Sequence, residues 1–384
     1  MLGNSFGRLF RVYACGESYG EALQIIVDGV PAGIPLTDAD IQKELDRRRP
    51  GQSQLDSPRG ETDKVKIVAG LLEGITTGAP VGMIIYNVDR QQIHVDQYRA
   101  VKDIMRPGHA EHTYFYKYGQ YADWCGAGRS SGRESACRVA AGALAKILLA
   151  RENIQVAGYV KELCGIRACE VTFDEILENG EKNEIRCPDL ETAKKMIARC
   201  LEIKEDGDTA GGVVEIRARN VPPGLGEPVF DKLSATIAHG IMSIGAVKGF
   251  EIGAGFAVAK MKGSECNDIP YIDNGRIRFK TNRSGGIDGG ISNGEEIIVR
   301  MAVKPTSTIS IEQDSVNLPK LEPAKLAAIT RRDPTICARI VAVGEAMVAI
   351  ALVDHLMMWR GYDSMQKFDH PWRKLTEPHP PWGK

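Results

Sequence analysis

Residues 131–150, SGRESACRVAAGALAKILLA, decide the fold, because they predict a long helix that carries alanine or glycine at positions 136, 140–143 and 145. A second stretch, residues 338–358, reads ARIVAVGEAMVAIALVDHLMM and is apolar on nearly all sides of a helix. A helix whose whole surface is small or apolar is normally buried. Two such helices therefore predict a helical layer that is covered by sheets.

Short runs typical of β-strands accompany these helices. They fall at residues 9–14, 23–27, 65–69, 81–86, 212–219, 247–252 and 296–301. A third helix is predicted at residues 38–48, because Thr37 is a good N-cap and Asp40 falls in the first turn. Strands and helices do not alternate regularly, so we do not expect a doubly wound parallel sheet. The order instead predicts an α+β protein.

Two segments of the sequence are also weakly similar to each other. Val-Asp-Gly-Val-Pro-Ala-Gly-Ile at residues 27–34 is similar to Ala-Arg-Asn-Val-Pro-Pro-Gly-Leu at residues 218–225. In both places a strand runs into Val-Pro-x-Gly and then into a helix-like segment. This pattern favours a duplicated unit with pseudo-twofold symmetry over the alternative, a chance match of four residues.

Composition narrows the class of protein. With 49 Lys and Arg against 50 Asp and Glu, the chain has no global charge that would attract nucleic acid or an acidic membrane. No apolar run of about 18 residues stands out, and the first residues lack the layout of a secretory signal. The nine cysteines form no Cys-x-x-Cys pair, which favours reduced thiols in the cytoplasm over a disulfide framework or a metal site.

The segment Gly126-Ala127-Gly128-Arg129-Ser130-Ser131-Gly132-Arg133 leads into the small-sided helix. Backbone amides at the start of a helix bind anions, and the arginines and serines add donors for phosphate or carboxylate. The segment is not a dinucleotide fingerprint, because Ser131 takes the third glycine position and no clear strand precedes it. It is not a P-loop either. The alternative is a capped helix with solvated arginines.

Four further motifs contain side chains that can donate hydrogen bonds to an anion. Arg106-Pro107-Gly108-His109-Ala110 presents a histidine on a tight turn beside an arginine, although a lone histidine is more often structural. Residues 46–51, Asp-Arg-Arg-Arg-Pro-Gly, end a helix, where solvated arginines also suit the helix dipole. Residues 304–308, Lys-Pro-Thr-Ser-Thr, suit a phosphate or flavin edge. Residues 331–334, Arg-Arg-Asp-Pro, also read as a capped helix start. Together they predict a site for a small, multiply anionic ligand, without naming a reaction.

These motifs, over residues 3–358, resemble those of the chorismate synthase family. Gly16-Glu17-Ser18-Tyr19-Gly20, followed by residues 27–31, is similar to the family's first signature apart from Tyr19. Residues 128–144 are similar to the second signature and residues 331–347 to the third. Residues 46–51, 106–110, 289–292 and 304–308 fall between them in the family's order.

The resemblance implies a lyase that converts 5-enolpyruvylshikimate 3-phosphate into chorismate by a 1,4-anti elimination, with reduced FMN as cofactor. It implies that Arg48, Arg106, Arg133 and Ser18 face the substrate, that His109 stabilises the anionic edge of the flavin, and that Asp333 takes part in a proton relay. The residues expected at FMN are Arg129, Ser130, Ser131, Gly245, Ala246, Gly289, Lys304, Pro305, Thr306, Ser307, Thr308 and Arg331.

The resemblance further implies a β-α-β sandwich with helices between two antiparallel sheets, and a homotetramer. We expect a single domain over residues 1–358 and an extended C-terminal arm over residues 359–384. We expect NADPH as an external reductant and not as a tightly held nucleotide, because Gln54 stands where many members have an arginine.

Tyr19 is the departure with the largest chemical consequence, because it replaces a histidine assigned to protonate the departing phosphate. A phenol is neutral near pH 7, so it can donate a hydrogen bond but supplies no cation. Gly245 and Arg332 replace a frequent asparagine and histidine. The working hypothesis is an active enzyme; the alternative is an impaired homologue that binds FMN and anions. The broken glycine fingerprint disfavours a third option, a nicotinamide dehydrogenase.

Overall fold

The structure is a computed structural model and describes residues 3–57, 60–327 and 333–365. Its first half contains β1 (Ser5–Phe6), β2 (Arg11–Cys15), β3 (Ala22–Asp28), α1 (Asp38–Arg48), β4 (Val65–Ala69), β5 (Leu71–Leu72), β6 (Ile75–Thr76), β7 (Val81–Tyr86), α2 (Gln92–Val101), α3 (Glu111–Tyr118) and α4 (Ser135–Ala150). Short 3-10 turns at Gly119–Tyr121, Cys125–Ser130 and Gly132–Glu134 join α3 to α4.

The second half contains β8 (Gln155–Leu163), β9 (Ile166–Arg167), α5 (Phe173–Asn179), α6 (Leu190–Glu205), β10 (Gly212–Arg219), α7 (Leu233–Met242), β11 (Val247–Ile252), α8 (Gly263–Cys266), β12 (Pro270–Asp273), β13 (Arg276–Phe279), β14 (Ile287–Asp288), β15 (Ile291–Ser292), β16 (Ile297–Val303), β17 (Gln313–Asn317), β18 (Glu322–Leu326) and α9 (Cys337–Met365).

Two five-stranded sheets dominate the described part of the chain. Their strand orders are β1-β2-β3-β7-β4 and β11-β16-β10-β8-β9, and their pairings are antiparallel. The first sheet contains the order β2-β3-β7-β4, and the second contains β8-β10-β16-β11. In the first half α1 follows β3 and α4 follows β7, whereas in the second half α7 follows β10 and α9 follows β16. The α+β class predicted from the sequence is confirmed.

The two long helices, α4 and α9, pack along each other. Helix α4 also packs on β2 and β3, and α9 packs on β8 and β10. Gly142 of α4 faces Ala346 of α9 so closely that a Cβ at position 142 would lie 2.2 Å from the alanine Cβ. The small residues that predict a buried helix therefore permit this close approach.

A buried carboxylate ties four elements together. Glu345 of α9 accepts hydrogen bonds from Arg47 of α1 (3.0 Å to Oε1), from Lys146 of α4 (2.5 Å to Oε2) and from the backbone N–H of Gly158 in β8 (2.7 Å). Burial alone would raise the pKa of Glu345, but the charges of Arg47 and Lys146 outweigh it and lower the pKa to about 2.

The segment Cys337–Gly361 of α9 is the one helix in the described ranges that is long and apolar enough to cross a membrane. The sequence predicts an apolar helix at residues 338–358, but the expectation that no apolar run of about 18 residues is present is wrong. Within the protein 94% of its most apolar window is buried, as in the core helix of a globular protein.

Several predicted boundaries are confirmed. Helix α1 and strands β4, β7, β10 and β11 have the predicted bounds. The helix predicted from residue 131 instead begins at Ser135, because the Ser131 hydroxyl accepts the Arg133 N–H and residues 132–134 form a 3-10 turn. Residues 359–365 are helical and not extended; Trp359 packs against the core and Arg360 pairs with Glu152. The rest of the predicted arm, residues 366–384, lies outside the described residues.

Candidate active site

Asp63 lies at the centre of a pair of buried arginines. Arg48, at the end of α1, donates from Nη1 to Asp63 Oδ2 (2.8 Å), and Arg133 donates from Nη1 to Asp63 Oδ1. The Asp63 side chain is fully buried. Burial would raise its pKa, but the two guanidinium groups outweigh this effect and hold the pKa below the ordinary value. The carboxylate is therefore ionised at neutral pH and fixes both arginines.

The remaining donors of these arginines are partly engaged. Arg48 also donates to the Gly132 carbonyl (2.9 Å) and to the Ser135 hydroxyl (3.1 Å). Arg133 donates from Nε to Asn87 Oδ1 (2.7 Å), while its Nη2 is buried without a hydrogen-bond partner in the described part of the chain. The nearest carboxylate oxygen to that nitrogen belongs to Glu61, at 3.5 Å. Arg133 thus retains a donor that can serve a ligand.

The loop that carries Ser18 and Tyr19 is held beside these arginines. The Asn87 side chain donates to the carbonyls of Glu17 (3.0 Å) and Gly20 (2.8 Å). Tyr19 lies against Gly126, whose φ is +60°, and a Cβ there would lie 2.6 Å from Cδ2 and Cε2 of the ring. Only glycine leaves room for the tyrosine ring at this position.

The segment predicted to bind anions at residues 126–133 folds as two 3-10 turns. Positive φ values at Gly126, Ala127 and Gly128 turn the chain before Arg129. Arg129 donates to the carbonyls of Gly16 (3.0 Å) and Ala14 (3.0 Å) and to the side chain of Asn4 (2.8 Å). Three of its five donors thus brace the first sheet. The Ser130 hydroxyl donates to the Ala127 carbonyl (2.7 Å).

The Arg106–His109 turn lies beside the Tyr19 loop. Arg106 donates from Nε to Glu111 Oε1 (2.5 Å), and its guanidinium carbon lies 5.6 Å from the centroid of the Tyr98 ring. His109 Nδ1 lies 3.2 Å from the Pro107 carbonyl, and Nε2 lies 3.2 Å from the Thr308 hydroxyl. Burial lowers the pKa of His109, and the charge of Arg106 lowers it further, so the imidazole is neutral at pH 7.

The loop at residues 304–308 docks against the same turn. Lys304 Nζ donates to the Gly108 carbonyl (2.6 Å) and to the Ser307 hydroxyl (2.7 Å), and Ser307 donates to the same carbonyl (2.9 Å). The backbone N–H of Lys304 donates to the Ala246 carbonyl (3.0 Å). Burial lowers the pKa of Lys304, and Lys248 adds to this effect. The loop therefore places the ammonium of Lys304 beside the Arg106–His109 turn.

Asp333 joins this loop to the start of α9. Its backbone carbonyl accepts from the Thr306 hydroxyl (2.8 Å), Oδ1 accepts from the backbone N–H of Ser57 (2.8 Å), and Oδ2 pairs with Arg339 (2.9 Å). Because α9 begins at Cys337, the alternative role of Asp333 as the helix N-cap is wrong. Arg331 and Arg332 lie outside the described residues.

Gly289 is separated from the other residues expected at FMN. It lies at the turn between β14 and β15, and the carbonyl of the next residue, Gly290, accepts from the N–H of Leu233 at the start of α7 (2.8 Å). Gly245 and Ala246 follow the other end of this helix. A ten-residue helix is about 15 Å long, so one chain does not bring Gly289 beside Ala246.

The structure reveals four residues that the sequence analysis did not single out. Asp63, Asn87, Tyr98 and Glu111 each contact an arginine or a loop of the site. Asp63 lies two residues before the predicted strand at 65–69, and Asn87 follows the strand at 81–86. Polar residues at strand ends are a signal that could have identified these two. Tyr98 and Glu111 carry no comparable pattern.

A hollow of about 990 Å³ lies elsewhere, beside β11. Phe250, Phe256 and Phe279 line it, and none of the predicted site residues does. No group of three or more His, Cys, Asp or Glu residues within the described ranges is arranged to hold a metal ion. The contacts described above, and not this hollow, join the predicted motifs.

Comparison with known proteins gives a consistent result. The family model for chorismate synthase matches residues 10–357. A chorismate synthase of Acetivibrio thermocellus is 56% identical over 394 aligned positions, which cover 98% of this chain and 100% of that protein. A chorismate synthase of Methanosarcina mazei is 52% identical and covers 93% of this chain and 97% of its own. A crystal structure of a chorismate synthase superposes with a TM-score of 0.71 at 31% identity, covering 91% and 92% of the two chains.

Proposed function

This chain belongs to the chorismate synthase family, and we propose that the joined loops around Asp63, His109 and Lys304 form its active site. The enzyme is a carbon–oxygen lyase that converts 5-enolpyruvylshikimate 3-phosphate into chorismate and phosphate. The C3–O bond and the C6–H bond break in a 1,4-anti elimination, and the C1=C2 double bond of the ring is replaced by the C2=C3 and C1=C6 double bonds of chorismate. The substrate carries two carboxylates and a phosphate, so its site requires several cations.

Arg48, Arg106 and Arg133 bind the substrate anions, and Ser18 assists them. The assignment is supported by the buried position of all three arginines and by the Arg133 Nη2 group, which has no hydrogen-bond partner in the described part of the chain. A guanidinium fork matches a carboxylate or a phosphate in two parallel hydrogen bonds. Asp63 holds two of these forks in place before the substrate arrives, which reduces the entropy lost on binding.

The loop at residues 304–308 fits reduced FMN. This fit rests on the contacts that hold Lys304, Thr308 and His109 together, because an ammonium and hydroxyl groups can donate hydrogen bonds to an anionic ligand. We assign the cofactor site to Arg129, Ser130, Ser131, Gly245, Ala246, Gly289, Lys304, Pro305, Thr306, Ser307, Thr308 and Arg331. When bound, reduced FMN supplies electron density that assists phosphate departure and a nitrogen, N5, that takes the C6 proton.

The chain's own residues manage charge and protons around the reacting atoms. His109 lies at the anionic edge of the cofactor and stabilises it, and its imidazole is held between the Pro107 carbonyl and the Thr308 hydroxyl. Asp333 passes the proton onward, and its carboxylate is oriented by Ser57 and Arg339. Tyr19 donates its phenolic hydrogen to the departing phosphate, and Arg106 supplies the charge that a phenol lacks.

One observation supports this assignment above all: the contacts form a continuous series. The series runs from Asp63 through Tyr98 and Arg106 to His109 and Thr308. It joins the motifs expected at the substrate to the motifs expected at FMN. The comparisons do not support the alternative, an impaired flavin-binding homologue, because the relatives reported above carry the name of the enzyme at more than half identity.

Residues 1–358 form a single domain, which assembles as a homotetramer in the cytoplasm without nucleic acid or membrane. Helices α1, α4, α7 and α9 form the middle layer of a β-α-β sandwich, and the two halves are an internal repeat. The matching strand orders, and the position of α4 in contact with strands of both sheets, support these inferences. The separation of Gly289 from Ala246 supports a cofactor site that is completed between copies of the chain. NADPH acts as an external reductant.

Anaerobic turnover tests the proposed function directly. The purified protein is incubated with reduced FMN and 5-enolpyruvylshikimate 3-phosphate, and chorismate is measured against a control without enzyme. We expect chorismate formation by the natural chain, with Tyr19→His as a matched variant that restores the imidazole. If flavin binds and no chorismate forms, the proposed activity is wrong. A rise of roughly 10²–10⁴-fold with Tyr19→His would instead show an impaired enzyme.

A further inference from the structure

Tyr98 of α2 lies between two residues of the proposed site. Its ring centroid is 5.5 Å from that of Tyr19, with the ring planes inclined at 73°. The guanidinium carbon of Arg106 lies 5.6 Å from the same ring. Helix α2 contains no buried residue, so Tyr98 is not a core residue that would pack there for stability alone.

Both contacts have a preferred geometry. Edge-to-face aromatic pairs are favourable at centroid distances of about 4.5–7 Å, because a positive ring edge meets a negative ring face. A guanidinium within about 6 Å of a tyrosine ring is attracted to the negative face of that ring. One side chain thus sets the position of a phenol and of a cation at once.

Other contacts limit where Tyr19 and Arg106 can go. Gly126 packs against the Tyr19 ring, at a distance that leaves no room for a Cβ. Arg106 is also held by Glu111, at 2.5 Å from Nε. Tyr98 is the side chain that bridges these two anchored groups, so its removal takes away one of the contacts that fix the Tyr19 ring.

We propose that Tyr98 is a positioning residue that aligns the Tyr19 hydroxyl, beside the Arg106 cation, for hydrogen-bond donation to the departing phosphate. The inference rests on the proposed role of Tyr19. Because a phenol is neutral, it must be aimed well and must have a cation nearby to replace the effect of an imidazolium. Tyr98 contacts the group that donates and the group that carries the charge.

The test is a double-mutant cycle in single-turnover reactions with reduced FMN and 5-enolpyruvylshikimate 3-phosphate. Tyr98→Leu is measured in the natural chain and in Tyr19→Phe, which keeps the ring but lacks the hydroxyl. We expect Tyr98→Leu to slow the natural chain by roughly 5–30-fold, the size of the two ring contacts. In the Tyr19→Phe background we expect less than about a twofold further loss, since no hydroxyl remains to be aligned.

Three controls separate alignment from folding. Tyr98→Phe keeps the ring and should retain most of the rate. Tyr116→Leu makes the same change on the neighbouring helix α3, where the tyrosine is 72% exposed and contacts only His112 and Phe115 among aromatic residues described, and should leave turnover within about twofold. FMN affinity, measured by fluorescence quenching, should be the same in Tyr98→Leu and the natural chain.

The other possible outcomes distinguish the role of Tyr98 from the role of Tyr19. If Tyr98→Leu slows both backgrounds equally, or if Tyr98→Phe loses as much as Tyr98→Leu, the positioning role is wrong while the role of Tyr19 stands. If Tyr19→Phe alone leaves the rate unchanged, the proposed role of Tyr19 fails and the inference fails with it. If Tyr98→Leu does not fold, Tyr98→Met, which keeps side-chain bulk without a ring, replaces it in the cycle.

Discussion

His109 Nε2 lies 3.2 Å from the hydroxyl oxygen of Thr308, and this contact joins two motifs that are almost two hundred residues apart in the sequence. The imidazole is fixed from both sides, since its Nδ1 faces the Pro107 carbonyl at 3.2 Å. A histidine anchored in this way has a defined orientation before any ligand binds, which is how a site prepares for charge that develops later.

Thr308→Val removes the hydroxyl but keeps the shape of the side chain. We expect it to slow anaerobic turnover by about 3–10-fold, the worth of one hydrogen bond of ordinary net strength. Thr308→Ser keeps the hydroxyl and serves as the matched control, with a rate close to that of the natural chain. Equal rates for the valine and serine variants would show that Thr308 does not orient His109.

Arg106→Gln should raise the pKa of His109. After burial, the Arg106 charge is the main cause that lowers this pKa, and Glu111, released from its partner, would raise it further. The imidazole signals in an NMR titration report the pKa directly. Arg99→Gln, on the same face of the site but 58% exposed, is the control and should leave the titration of His109 in place. A lowered or unchanged value in Arg106→Gln would contradict the prediction.

The lowered pKa of His109 also makes the stability of the fold depend on pH. Because the folded pKa of His109 lies below its unfolded value, the unfolded state binds more protons between the two values. The histidine therefore favours the folded state above about pH 6.5, and this contribution is lost as the pH falls through the folded pKa. Urea unfolding of the natural chain and of His109→Gln should show a smaller decrease in stability for the variant between pH 7 and pH 5.

Arg133→Lys should weaken substrate binding more than FMN binding. A lysine cannot reproduce the fork that reaches Asn87 and Asp63 together and leaves Nη2 for a ligand. We expect the KM for 5-enolpyruvylshikimate 3-phosphate to rise by roughly 10–100-fold, with FMN affinity within about threefold.

Arg199→Lys, a substitution at a half-exposed residue on α6, is the control for the exchange itself. Parallel losses of substrate and FMN affinity in Arg133→Lys would indicate a collapsed loop and would refute the assignment of Arg133 to the substrate.

Glu345→Gln should destabilise the fold by about 1.5–3 kcal/mol at pH 7, because it removes a buried carboxylate that accepts charged hydrogen bonds from Arg47 and Lys146, which keep Glu44 as a partner. The carboxylate contributes stability above its ordinary pKa, near 4.5, and this contribution is lost as the pH falls toward the lowered pKa of about 2. The difference between the two chains in urea unfolding should therefore shrink below pH 4.5. Glu191→Gln, at an exposed pair with Lys194, should cost less than about 0.5 kcal/mol. A pH-independent difference would contradict the assignment of charge to Glu345.

The elements that sequence reasoning located are those with a strong local pattern. Helix α1 has its cap at Thr37, and β10 contains the β-branched residues Val213, Val214 and Ile216, so both were bounded correctly. Strand β8 was missed although it is central to the second sheet, because its Lys161 and Glu162 interrupt the apolar pattern. The burial of Lys161 depends on Glu170, a partner that the local sequence does not identify.

The residues of the candidate site divide in the same way, into those that a local sequence pattern identifies and those that it does not. Residues carried by a motif, such as Arg133 and His109, could be singled out because arginine, glycine and histidine cluster along the chain. Tyr98 could not, because its role arises from neighbours on other elements. Arg129 was expected at the cofactor, and the fold shows that it also braces two backbone carbonyls of the first sheet.

The contact between Gly142 and Ala346 has a consequence for the distance between the two halves of the proposed site. Arg133 lies just before α4, and the loop of Lys304 follows β16, whose Met301 side chain lies against Gly344 of α9. A methyl group at position 142 would meet Ala346 at 2.2 Å and act as a wedge between the two helices. The distance between the arginines of one half and the Lys304 loop of the other therefore depends on the absence of a side chain at Gly142, about 10 Å along α4 from Ser135.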